Sequence, residues 1–264
     1  MKIYISADIE GITGIAHWNE ADKTRPDYSD FQKQMTAEVA AACQGALKVG
    51  AKEIYVKDAH DTGRNINAAE LPQEVKIVRA WSGHPFCMVQ ELDNTFDAAI
   101  MIGYHSRAGS DANPLAHTLT GSFAFIELNG EYLAEFHINA LAAALVGVPV
   151  VFVSGDEGLT NDAKKLIPGI TTVAVNKGVG ASSISIHPRL AAKLIEDGVT
   201  TALSKNFSNC KAKLPKKFKL TIGFKEQKNA YKTSYYPGAK LLEPHVVGYE
   251  CNDYMDILRL FMFV

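Results

Sequence analysis

The chain has 264 residues, 47% of them hydrophobic and 21% charged, with a formal net charge of −2 and a pI near 6.4. This is an ordinary globular composition, and its charge balance leaves no electrostatic footprint for nucleic acid or an anionic membrane. No stretch reaches the roughly 18 consecutive apolar residues of a membrane span. The four cysteines, Cys43, Cys87, Cys210 and Cys251, form no CxxC pair, which excludes a zinc ribbon or a disulfide framework and fits a reducing compartment.

In chain order, "KIYISA" (residues 2–7) reads as a buried strand that runs into Asp8 and Glu10. "SDFQKQMTAEVAAACQGALKVGA" carries apolar residues at helical spacing and ends at Gly50 as a C-terminal cap. "EIYVKDAHD" is a second strand, "VKIVRA" a short third, "FCMVQELDN" a helix and "FDAAIMIGYHS" another buried strand. "SFAFIELNGEYLAEF" predicts a hairpin turning at Asn129-Gly130. "INALAAALVGV" reads as a helix and "PVVFVSGDE" as a core strand. Beyond these come a helix in "SIHPRLAAKLIEDGVTTALSK", strands in "FKLTIGFK" and "HVVGYECN", and an apolar closing helix in "DYMDILRLFMFV". The basic run "KAKLPKKFK" (residues 211–219) reads as a solvated connection.

Continuous Val/Ile strands alternating with helices predict an α/β fold, a mostly parallel sheet with helices on both faces. The expected organisation is an α/β catalytic domain over residues 1–178 and a smaller C-terminal α+β part over residues 179–264. The opening stretch has acids where a signal peptide needs an apolar run, so a cytoplasmic protein is expected.

In a doubly wound sheet, functional groups gather beyond the carboxyl ends of the strands. Asp8 and Glu10 follow the first strand; Asp58, His60 and Asp61 end the second; His105 ends the strand "AAIMIGYHS", with Arg107 just beyond; Asp156 and Glu157 end "PVVFVSGDE". Taken singly, such an Asp is a helix cap or a turn former, and His17, His84, His187 and His245 read as structural. Jointly, two histidines and two carboxylates on strand ends form a ligand set for Zn²⁺, with Mn²⁺ or Co²⁺ as substitutes. Asp8 and Glu10 lie two residues apart, so an extended strand points both the same way. Two metal ions would also remove the repulsion between them. The pattern predicts a metal-dependent hydrolase. No P-loop occurs, "GVGAS" is a loop, and Ser154 sits in no nucleophile elbow.

"SADIEGITG", "KDAHD", "GYHSRAG" followed by "AHT", and "GEYLAEFHINA" resemble, in that order over residues 1 to about 180, the D-aminopeptidase family encoded with bacterial dipeptide-transport genes. The resemblance implies an aminopeptidase with two zinc ions per subunit that activate the attacking water. By motif, Asp8 would bridge the metals, Glu10, His60, His105 and Glu135 would be further ligands, and His117 would be a non-ligating catalytic histidine. By pattern alone Glu135 reads as a rim residue of the hairpin. His137 departs from the family pattern and is read as a stacking or hydrogen-bonding group, with competition as a metal ligand the alternative. The resemblance further implies short peptides as substrates and a homodecamer of two pentameric rings. Two alternatives stand beside it. One is a metal-dependent amidase or phosphoesterase on the same scaffold, with Arg107 clamping a carboxylate or phosphate. The other is a non-catalytic peptide-binding component.

Overall fold

Two sheets form in the computed structural model, which describes residues 1–264. The strands in chain order are β1 (Lys2–Ala7), β2 (Glu53–Asp58), β3 (Val75–Val78), β4 (Ala98–Tyr104), β5 (Phe123–Leu128) and β6 (Glu131–Tyr132). They continue as β7 (Val150–Asp156), β8 (Thr171–Val179), β9 (Ser182–Ser185), β10 (Phe218–Phe224), β11 (Lys240–Glu243) and β12 (Val246–Cys251). The helices are α1 (Trp18–Ala21), α2 (Tyr28–Lys48), α3 (Glu135–Leu145), α4 (Glu157–Leu166), α5 (Pro188–Ser204), α6 (Gln227–Thr233) and α7 (Tyr254–Phe261).

The large sheet has the order β3-β2-β1-β4-β7-β8-β9 and is parallel except for β9, which pairs antiparallel with β8. Every residue of β4 and β7 is buried, as strands covered on both faces require. α2 packs with α5 on one face, and α3 packs with α4 on the other. The chain winds outward from β1 to β2 and β3, then returns to the opposite side of β1 with β4. That reversal between β1 and β4 opens a crevice at their carboxyl ends, where α/β folds place their ligands.

The smaller sheet is antiparallel, with the order β11-β12-β10-β5-β6. It corrects the expected division at residue 178. β5 and β6 come from residues 123–132 and join the small sheet, β5 pairing with β10 and β6 with β5, while β9 pairs with β8 of the large sheet and α5 packs against it. Side-chain periodicity reveals an element but not a partner almost a hundred residues away. The β5–β6 hairpin turns as predicted, with Asn129 and Gly130 both at positive φ, 55° and 90°. The expected helix in "FCMVQELDN" contracts to a single 3-10 turn, Cys87–Val89. The carbonyls of Met88 and Gln90 instead accept hydrogen bonds from Ser6 Oγ (2.7 Å) and Tyr4 Oη (2.5 Å), side chains of the neighbouring core strand. No helix is long and apolar enough to cross a membrane.

Candidate metal centre

The segment after β1 is laced to the end of β4: Asp8 N donates to Ile102 O (2.9 Å) and Gly11 N to Gly103 O (2.8 Å). Such proximity demands glycine on both sides. A Cβ on Gly11 would lie 1.8 Å from Tyr104 O, and Gly103 has φ +68° with the Asp8 carbonyl against its Cα. On the other side of β1, Ala59 N donates to Ala7 O (2.8 Å), which brings in His60 from the end of β2. Glu135 is the first residue of α3, separated by two residues from the end of the short β6.

These connections bring Asp8, Glu10, His60, His105, His117 and Glu135 together. Asp8 stands between two imidazoles, with Oδ1 at 3.3 Å from His60 Nδ1 and Oδ2 at 3.5 Å from His105 Nε2. Glu10 Oε2 lies 3.0 Å from His60 Nδ1, and Glu135 Oε2 lies 3.5 Å from His105 Nε2. His117 Nε2 is 3.7 Å from Glu135 Oε1, and its ring stacks on His105 with centroids 4.4 Å apart. All but His117 are buried.

The outward nitrogen of each imidazole is held by a backbone carbonyl. His60 Nε2 donates to Ala21 O (2.8 Å), His105 Nδ1 to Ser106 O (2.9 Å) and His117 Nδ1 to Leu115 O (2.9 Å). A carbonyl only accepts, so each of these nitrogens carries hydrogen and the other ring nitrogen faces the cage. His105 Nε2 is buried with no hydrogen-bond partner, and Glu10 Oε2 approaches His60 Nδ1 at 3.0 Å without the alignment of a hydrogen bond. Such atoms are costly unless something else binds them.

Electrostatics point the same way. Burial, and then the charge of Glu10, push the Asp8 carboxyl well above its usual range. Burial would raise Glu10 as well, but His60 holds it well below the ordinary value. Burial acts upward on Glu135 too, and His105 brings it down. Against the burial that opposes charge on an imidazole, Glu10 and Asp8 hold His60 well above its usual value. In the same manner Glu135 pushes His105 up to about 10. Burial and the neighbouring His105 lower His117. The carboxylates therefore draw positive charge onto His60 Nδ1 and His105 Nε2, the positions where a divalent cation displaces a proton. Asp8, Glu10 and His105 offer ligand atoms within 4.8 Å of one another, and so do His105, His117 and Glu135. These two neighbouring groups share His105, and their mixed oxygen and imidazole donors suit Zn²⁺.

Other strand-end residues do different work. Asp58 accepts from Asn65 N (2.5 Å), Asn65 Nδ2 (2.8 Å) and Ile66 N (2.7 Å), which shapes the turn behind His60. Asp156 accepts from Ser106 N (2.6 Å) and caps α4 through Leu159 N (2.8 Å). Arg107 turns away from the cage; its Nη1 donates to Ala108 O (2.9 Å) and its guanidinium lies 4.2 Å from the Tyr132 ring centroid. His137 Nδ1 accepts from Ala134 N (3.1 Å) at the start of α3, and burial lowers it to about 4. It is a helix-end group outside the cage. Asn113 escapes a motif search, although Asn-Pro is a turn signal. Its Nδ2 donates to Glu10 O (2.9 Å) and to Asp156 Oδ2 (3.2 Å), which ties the His117 loop to the Glu10 segment. Trp18, also unforeseen, sets its indole edge-on to the His117 ring at 5.1 Å.

The cage opens on a cavity of about 650 Å³ lined by 26 residues, Asp8, Glu10, His60, His117 and Glu135 among them. That size is within the roughly 300–1,000 Å³ of small-ligand sites. No lysine or arginine lines it.

A doubly wound sheet with acids and imidazoles converging at its switch point, beside a cavity, defines a metal-dependent hydrolase. The chain belongs to the peptidase M55 family of D-aminopeptidases, whose model matches residues 1–263. It is 29% identical over 242 residues to a D-aminopeptidase of Bacillus subtilis (strain 168), across 91% of this chain and 88% of that relative. Among solved structures it is similar to the Zn-dependent D-aminopeptidase DppA from Bacillus subtilis, described as a self-compartmentalizing protease. That match has a TM-score of 0.92 and 26% identity, over 99% of this chain and 96% of the other.

Proposed function

We propose that this chain is an aminopeptidase for short peptides, D-residue peptides included, that Asp8, Glu10, His60, His105 and Glu135 hold two zinc ions, and that His117 is a catalytic histidine outside the ligand set. The observation that carries this reading is the fixed orientation of the three cage histidines, each held by a backbone carbonyl at its outward nitrogen so that the inward nitrogen faces buried carboxylates. When bound, the zinc ions supply Lewis acidity and make a water acidic enough to react near neutral pH. Asp8, with one oxygen toward each of His60 and His105, would be the residue shared between the two ions. His117 is held neutral near pH 7 by burial and by His105. Its Nε2 takes up a proton at the cage mouth and returns it to the departing amine. Stacking on His105 and the edge contact from Trp18 keep that nitrogen in place.

A cavity without lysine or arginine disfavours the phosphoesterase alternative, for which Arg107 was the expected phosphate clamp. The four cysteines are unpaired, which supports a reducing, cytoplasmic location. The similarity to a self-compartmentalizing protease supports assembly into a homodecamer of two pentameric rings. The test is zinc content of the purified protein together with hydrolysis of D-Ala-D-Ala, L-Ala-L-Ala and nitrophenyl phosphate. Bound zinc with cleavage of an alanine dipeptide is expected; phosphate ester cleavage without peptide cleavage overturns the reading.

A further inference from the structure

The cavity lining has two chemically distinct components. The cage supplies one. The other is apolar and comes from Phe86, Phe123, Ile138, Leu258, Phe261 and Met262, drawn from four separate parts of the chain. We propose that this apolar wall receives the side chain of the substrate's amino-terminal residue and selects apolar side chains larger than that of alanine, with Phe261 and Met262 setting the preference; the inference rests on the aminopeptidase reading above.

Three observations carry it. First, the wall is fixed in place. α7 is capped by Asp253, whose side chain accepts from Met255 N (3.0 Å), and Tyr254 Oη donates to Ile138 O (2.9 Å), which locks α7 to α3. α3 begins with Glu135, so the apolar wall and the cage share one rigid element. Second, charge is one-sided. Asp61 adds a carboxyl group to those of the cage, and no lysine or arginine lines the cavity to meet an acidic side chain. Third, space exceeds need. A cavity of about 650 Å³ is far larger than a methyl side chain fills and has room for a leucine, methionine or phenylalanine side chain against its apolar wall. Each methylene that a hydrophobic pocket covers is worth roughly tenfold or more in selection.

The experiment compares kcat/KM of the zinc-loaded protein on the α-amides of leucine, glutamine and glutamate, in whichever hand is cleaved. These side chains have similar reach and differ in polarity. Leucinamide is expected to exceed glutamine amide about tenfold and glutamate amide by more. Met262→Lys, at the exposed end of α7, introduces the missing cation and is expected to shift the leucine-to-glutamate ratio toward glutamate by at least about tenfold. Wild-type rates within threefold across the three amides, or a ratio indifferent to Met262→Lys, overturn the inference. If no amide in either hand is cleaved, the aminopeptidase reading fails by itself. Calorimetric binding of the same three amides then decides the side-chain preference by the same criteria.

Discussion

Asp8 and Glu10 are buried side by side at the end of a core strand, a placement that like-charge repulsion opposes unless a cation lies between them. Asp8 also faces both His60 and His105, so its charge holds the two halves of the cage together. Asp8→Asn keeps the shape and removes that charge; the expected result is loss of bound zinc and of turnover together, measured by elemental analysis and peptide hydrolysis. His117→Ala is expected to keep its zinc while kcat falls by roughly 10²–10⁴-fold, the range for a lost acid–base group. Zinc loss in that variant would instead make His117 a ligand alongside His105 and Glu135. Asp8, Glu10, His60 and His105 were legible because a strand end is a definite place in an α/β fold and a side-chain period of two gives direction. Glu135 was not legible from periodicity. β6 is only two residues long, and after Leu133 and Ala134 the chain enters α3, so a residue that reads as hairpin rim is a helix N-terminus turned inward. Arg107 misled for a related reason: its direction is decided by Tyr132, which a later hairpin delivers.

At the level of elements, the segment carrying Asp8 and Glu10 is anchored from behind by α2. Glu38 of α2 accepts from Thr13 N (2.9 Å) and from Gln34 Nε2 (2.9 Å), and its other oxygen is buried without a partner. Burial pushes its carboxyl up to about 7 from 4.5, against the lowering effect of those hydrogen bonds. The folded protein therefore holds a proton there that the unfolded chain releases near pH 4.5. The stabilisation is complete below that pH and is lost as pH rises through about 7. Its full size is about 3 kcal/mol at one pKa unit per 1.36 kcal/mol. Glu38→Gln is a permanent copy of the protonated form. Urea unfolding at pH 5 and pH 8 should find the variant close to wild type at the lower pH and more stable by up to about 3 kcal/mol at the higher. An equal difference at both values would remove the argument. Most elements here are legible in the sequence, α2 and the fully buried β4 and β7 most clearly, because length and apolar period agree. "FCMVQELDN" defeats the period because Cys87 and Glu91 take positive φ, 46° and 68°, while Tyr4 and Ser6 bond the carbonyls that a helix would use. Those competitors lie some eighty residues earlier, outside any local window.

For the whole molecule, the issue is what covers the apolar surface left outside the core. Val179 and Ile184 on the β8–β9 hairpin are 53% and 66% exposed, and Tyr231 on α6, Tyr235 in the turn after it, and Leu241 and Leu242 on β11 lie exposed. Exposed apolar groups gathered on particular elements mark surfaces that bind other chains, and a closed ring covers two different patches on each copy by heterologous contacts. Assembly into a decamer predicts a sedimentation mass of ten 28.7 kDa chains. Ile184→Asp and Leu242→Asp, which place a charge on each patch, should lower that mass while leaving the circular dichroism of the chain intact. The same variants separate cage chemistry from access to the cage. If a chamber filters substrates by size, the dissociated protein should gain activity on a longer unfolded peptide relative to a dipeptide, because all six cage residues belong to one chain and survive dissociation. A wild-type protein that sediments as a single 28.7 kDa chain, or an unchanged ratio of long to short peptide cleavage in the dissociated form, would leave substrate size to be set by the cavity of each subunit alone.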